Sequence, residues 1–138
     1  MAKSNDPVFA QDPKTAGVAF GATTHSTQMD PGTVAPTALV TAGADGAIVT
    51  NIEITAESTV TAEKFVFWIQ PLGTGNWYVV TSAVLAAYTQ AATDAQGAIT
   101  VVDKETPEQA IRLNGTDVLG VTHHVDQQSM VVAEYTDY

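Results

Sequence analysis

Three histidines, His25, His123 and His124, are the side chains best suited to acid–base or metal chemistry in this sequence. A hydrolytic pair would need a Ser or Thr hydroxyl held against one of them. His25 lies in Thr23-Thr24-His25-Ser26-Thr27, a polar stretch with nothing to hold a reactive geometry. His123 and His124 are adjacent, so on a strand they point to opposite faces and do not readily clamp one metal. They read as one imidazole partly packed and one exposed near a strand end. The carboxylates Asp103, Glu105 and Glu108 cluster around Pro107, and Asp45 lies in a glycine turn. Neither group has calcium-loop spacing, so both read as solvated acidic loops. Gly73-Thr74-Gly75 lacks the Lys and helix that follow a phosphate-cradling loop, and reads as a hairpin turn. The aromatic residues Phe65, Phe67, Trp68, Trp77 and Tyr78 could stack on flat ligands, but base stacking needs flanking Lys or Arg. Core or subunit contact is their expected role, with carbohydrate contact through Trp68, Trp77 and Tyr78 as an alternative. No catalytic constellation emerges, and the expectation is a non-enzyme without cofactor or metal.

Composition agrees with that expectation. The chain has 138 residues, a length suited to one domain, and 45% of them are apolar, with four Phe and two Trp. Much of the apolar share is Ala and Val, which implies a thin core between short strands. There is no Cys, so neither disulfides nor thiolate metal sites can form. No stretch approaches the ~20 apolar residues of a membrane span. Met1-Ala2-Lys3-Ser4-Asn5-Asp6-Pro7 lacks the apolar core of a signal peptide, so no membrane partner or secretion is expected, and the absence of Cys fits synthesis in a bacterial cytoplasm. Fifteen Asp and Glu against five Lys and Arg give a net charge of −10. Nucleic-acid binding needs concentrated positive charge, and none is available. The acidity suits solubility, or docking on a basic protein surface.

The elements that would position any site fall in two zones. Residues 1–36 hold Pro7, Pro13, Pro31 and Pro36 among small and polar residues. Proline fixes φ and removes a donor, so this zone is expected to be an extended arm, in which only Thr15-Ala16-Gly17-Val18-Ala19-Phe20 could make a short strand. Residues 37–138 are expected to form a β domain. Thr37–Ala42 is one strand, and the alternation of Ile48, Thr50, Ile52 and Ile54 against Val49, Asn51, Glu53 and Thr55 marks a half-buried second. Phe65–Ile69 is apolar on both faces, as in a central strand, and returns through Trp77–Thr81 after a turn at 71–76. Ser82–Ala92 is ambiguous between strand, loop and a helical turn. Strands follow at Ala98–Val102, Ala110–Leu113, Val118–His123 and Ser129–Tyr135, with Asn114-Gly115 as a turn. About eight short strands at this spacing predict an antiparallel β-sandwich or jelly-roll-like barrel.

In order and spacing, the chain resembles a family of small bacteriophage virion structural proteins. The resembling residues are Asp6-Pro7-Val8-Phe9-Ala10-Gln11-Asp12-Pro13-Lys14 at the front and Leu39-Val40-Thr41-Ala42-Gly43-Ala44-Asp45-Gly46-Ala47 in the middle. Gly75-Asn76-Trp77-Tyr78 and the closing Val131-Val132-Ala133-Glu134-Tyr135-Thr136-Asp137-Tyr138 complete them. Membership implies a virion component without enzymatic activity. The expected role is a decoration or cement protein on the capsid exterior, bound to the major capsid protein and self-associating as a trimer or dimer. Partner contacts are expected from Pro7, Val8, Phe9, Pro13, Val18 and Phe20 of the arm, and subunit contacts from Phe67, Trp68, Trp77 and Tyr78. A tail, head–tail connector or fibre-base subunit is the alternative within the virion, and a carbohydrate-binding module the alternative outside it.

Overall fold

A computed structural model describes residues 12–20, 35–124 and 128–138. Among them are nine strands: β1 (Asp12–Phe20), β2 (Thr37–Thr41), β3 (Ala47–Ala56), β4 (Glu63–Gln70), β5 (Tyr78–Leu85), β6 (Ala98–Val102), β7 (Ile111–Leu113), β8 (Val118–His123) and β9 (Ser129–Asp137). They form two antiparallel sheets, one ordered β1-β9-β3-β6 with β7 beside the start of β3, the other β2-β8-β4-β5. The protein is an all-β sandwich. Its centre is aliphatic, with Val49, Ile52, Ile54, Leu119, Val121, Val131 and Ala133 fully buried around the rings of Phe65 and Phe67.

Two local irregularities set which residues reach that centre. β3 keeps register with β9 except for a shift between Val49 and Asn51. This bulge reverses the alternation midway, as one extra residue must. Ala47 and Val49 therefore face the core before it, and Ile52, Ile54 and Ala56 after it. Ile48, expected on the same face as Ile52, stays only half-buried. A second shift, between Phe67 and Trp68 against β5, leaves Val80 as the extra residue, and from Thr81 the hairpin strand runs on in one register to Leu85. Ser82–Leu85 is thus strand, and Tyr88 still exchanges both backbone hydrogen bonds with Val60. Three Ala do not make a helix where cross-strand packing is on offer.

The front zone differs from expectation. Residues 12–20 were expected within an extended arm; they form β1, paired with β9 without a break from Asp12↔Asp137 to Phe20↔Ser129. β9 would otherwise present a long unpaired edge, and the small alternating residues of β1 cover it. Val18 packs against the core and Phe20 is 6% exposed within it. Pro13 remains exposed. Phe20 is therefore a core residue and not a partner contact. Pro7, Val8, Phe9 and His25 lie outside the described residues.

Candidate functional site

The charge pattern isolates one part of the molecule. Between Lys64 and Asp103 the sequence holds a single charged residue, Asp94, although the chain as a whole carries −10. That stretch comprises most of β4, all of β5 and all of β6. Among the described residues, β5 and β6 are the terminal strands of their respective sheets and lie on the same side of the sandwich. Acidic side chains sit elsewhere: Glu53 and Glu134 are exposed on the other sheet, and Asp45, Glu105 and Glu108 in loops.

This neutral side is also apolar and exposed. Leu72, at 69%, Tyr78, at 58%, and Val84, at 59%, stand out to solvent, with Val79 and Val80 beside them. Leu72 holds a left-handed backbone, φ 59°, which a branched aliphatic side chain rarely adopts. What holds it is Asp117, a buried carboxylate on the β7–β8 turn. Its Oδ1 accepts from the Leu72 N–H at 3.0 Å and its Oδ2 from the Asn114 N–H at 3.0 Å. One acid thus ties the β4–β5 turn to the Asn114-Gly115 turn and keeps Leu72 pointing outward. Where the two sheets part at this edge, a groove of about 510 Å³ runs between Ile69, Val80 and Thr81 on one side and Val101, Val102 and Ile111 on the other, with Gln109 and the charged Arg112 also in its lining.

The aromatic residues expected at a contact divide. Phe67 and Trp68 are buried, so they are core residues in this chain and not subunit contacts. Phe67 faces the inter-sheet core. Trp68 lies on the outer face of β4, where its Nε1–H donates to Thr122 Oγ1 at 3.0 Å. Trp77 is half-buried over Gly120. A Cβ at Gly120 would stand 2.7 Å from the Trp77 ring and 2.9 Å from Pro36, so only glycine lets the indole lie flat there. Of Trp68, Trp77 and Tyr78, Tyr78 is the ring well exposed for contact. With Trp68 inside, the three do not make an aromatic platform for a sugar.

The histidines have definite places. His123 is buried on β8 beside Glu63 of β4, with Nδ1 2.7 Å from Glu63 Oε1 and both side chains at 0% exposure. The Phe20 ring covers the imidazole at a centroid distance of 4.3 Å, and Phe65 stacks at 6.2 Å. A carboxylate–imidazole pair can relay protons, but this one is sealed by β1 and joins β4 to β8. His124 points to the opposite side, its Nδ1 accepting from the Lys64 N–H at 2.7 Å. Around Pro107, Asp103 Oδ1 accepts from the Glu105 N–H at 2.9 Å, which folds the acidic loop on itself. Among the described residues, no three His, Asp or Glu side chains converge as a metal site would require.

Tyr78 stands out by type in the sequence and is exposed in the structure, whereas Leu72, Val84 and Asp117 were not singled out there. The neutral run from Phe65 to Thr93 was legible in the sequence and is the signal that would have found the first two. Asp117 gives no such sign, because its role depends on two turns distant in sequence. What the arrangement offers is backbone pairing along a strand edge and apolar contact beside it. No protein-family model matches the chain, and no curated protein or solved structure is significantly similar to it.

Proposed function

We propose that this chain is a structural protein of a bacteriophage virion, a decoration or cement protein that covers the outside of the capsid shell, binds the major capsid protein and associates with itself. The observation that carries this reading is the exposed apolar edge made by β5 and β6, two strands without a charged residue, in a protein otherwise strongly acidic. A sandwich with such an edge is built to cover surface. Leu72 held outward in a strained conformation fits the same purpose, since backbone strain is kept where it positions something useful. The resemblance at the two ends and in the middle of the sequence supplies the virion. The acidic face suits the outside of the shell better than a surface lined with DNA.

Residues 1–11 are the segment proposed to reach the capsid, with Pro7, Val8 and Phe9 as its apolar contacts. β1 belongs to the sandwich, so the informative deletion stops before Asp12. Capsids from the phage that carries this gene, stripped of the protein, would be mixed with the full chain and with a chain lacking residues 1–11. Binding of the full chain at a copy number comparable to that of the major capsid protein, lost or weakened at least about tenfold by the deletion, supports the reading. A handful of copies at one vertex would move the chain to the connector or tail. Failure of the full chain to bind the shell would overturn it.

A further inference from the structure

We infer that β5 is the self-association edge: two copies pair their β5 strands antiparallel about a two-fold axis at Ala83, joining their four-stranded sheets into one continuous sheet. This rests on the self-association included in the proposed function, and not on capsid binding. Backbone, faces and charge all contribute. The Lys64 N–H of β4 is turned to His124 beside β8 at 2.7 Å, and the Asp117 C=O before β8 is turned to Ala42 beside β2, so the even-numbered residues of β4 face β8; β5 runs along the other side of β4 with Leu85 opposite Glu63 and Ala83 opposite Phe65. Hydrogen-bonded positions alternate along an antiparallel ladder. Glu63, Phe65 and Phe67 therefore face β5, so Leu85, Ala83 and Thr81 bond toward β4, and Val84 and Ser82 turn their N–H and C=O groups outward.

An axis at Ala83 pairs Ala83 with itself and brings both outward positions of each copy against an outward position of the other. Ser82 of each copy then lies opposite Val84 of the other, on the outer face. The bulge between Val79 and Thr81 ends the regular stretch, which limits pairing to residues 81–85 and leaves Leu72, Tyr78, Val79 and Val80 to flank it. That flanking contact is needed, because strand pairing alone falls short of the roughly 1,200 Å² of a stable interface.

Charge selects a second copy as the occupant. Two molecules of −10 repel wherever their acidic surfaces meet, and the β5 edge, a strand without Asp or Glu, is where they can approach. A basic partner would be drawn to the acidic sheet instead. β5 also lacks the charge and proline safeguards of strand edges: it has no Lys, no Pro and no inward charge over eight residues, and its bulge lies outside residues 81–85.

Sedimentation of the purified full chain, without capsid, tests this. The wild type should sediment as a dimer, and Val84→Glu, an exposed change that places like charges near the axis, should weaken the dimer by about tenfold or more. Ser82→Pro, which removes an outward N–H while sparing the β4 ladder, should do the same, with unchanged circular dichroism for both. The chain has no Cys, so a mixture of Ser82→Cys and Val84→Cys chains should form a disulfide-linked heterodimer on oxidation, ahead of either variant alone. A monomeric wild type, or an oligomer that survives Val84→Glu and gives no mixed cross-link, overturns the inference. Capsid binding, measured separately, is unaffected by either outcome.

Discussion

Replacing Phe20 with Ala should cost a large share of the protein's stability, because β1 belongs to the folded domain. The ring is buried, tilted against Phe65 at a centroid distance of 6.0 Å and lying over His123 at 4.3 Å. Truncating a buried Phe to Ala typically costs about 3–5 kcal/mol. Here the ring also roofs the Glu63–His123 pair, whose bond at zero exposure depends on water being kept out. Neither contribution leaves reason to expect the low end. With a urea dependence of about 2 kcal/mol per molar for a domain of this size, the unfolding midpoint should fall by about 2 M.

The comparison that gives this meaning is with two changes in the same zone. Thr15→Ala alters an exposed residue of β1 and should move stability by less than about 0.5 kcal/mol. Deleting residues 1–11 should leave the midpoint unchanged. Urea melts followed by tryptophan fluorescence would report all three, since Trp68 is fixed in the sandwich. If Phe20→Ala melts with the Thr15→Ala control, Phe20 is not in the core in solution, and the front zone is an arm as far as residue 20.

Three further outcomes are expected. Gly120→Ala should lower stability by about 1–3 kcal/mol through the clash with Trp77 and Pro36; in thermal melts, Trp77→Ala in the same chain should recover part of the loss. Glu63→Leu or His123→Leu alone should cost about 3–5 kcal/mol, and the double change less than the worse single one, because it leaves no buried partner behind; a double-mutant cycle with additive losses would refute the coupling. Asp117→Ala should cost about 2–3 kcal/mol by stranding the Leu72 and Asn114 N–H groups. Leu72→Gly should be neutral or add up to about 1 kcal/mol, since it relieves a positive φ.

The β-sandwich was legible because most strands carry their own pattern: Phe65–Ile69 has apolar residues at every position, and Asn114-Gly115 names its turn. The faces were less legible. The Ile48–Ile54 alternation is regular in the sequence, yet a bulge near Thr50 puts Val49 in the core in place of Ile48. Nothing local announces that bulge, because it is imposed by the register with β9. β1 was obscured for a related reason. Ala16, Val18 and Phe20 are too few and too small to hold a strand alone, and they become one against β9. At the candidate site, Tyr78 could be found by type, but exposure of Leu72 and Val84 follows only once β5 is known to be a sheet edge.

The two long edges of the sandwich are handled in opposite ways. β1, the outer strand on one side, carries Pro13, which offers no N–H, and Lys14, whose Nζ lies 2.7 Å from Asp137 Oδ2 at the rim. Proline and lysine are the residues that discourage a neighbour from adding a strand. The edge strands β2 and β6 have only five residues each, a length that gives little purchase. β5 has eight, neutral and rich in Val, with neither safeguard. Left open, such an edge invites growth, since a head-to-tail pairing would expose a fresh edge at every addition. A pairing of β5 with itself uses the edge of each copy once and stops at two. Discrete dimers that resist further assembly would thus mean that the exposed edge is a designated contact, whereas steady accumulation of larger species would mean that repulsion among acidic chains is all that restrains it.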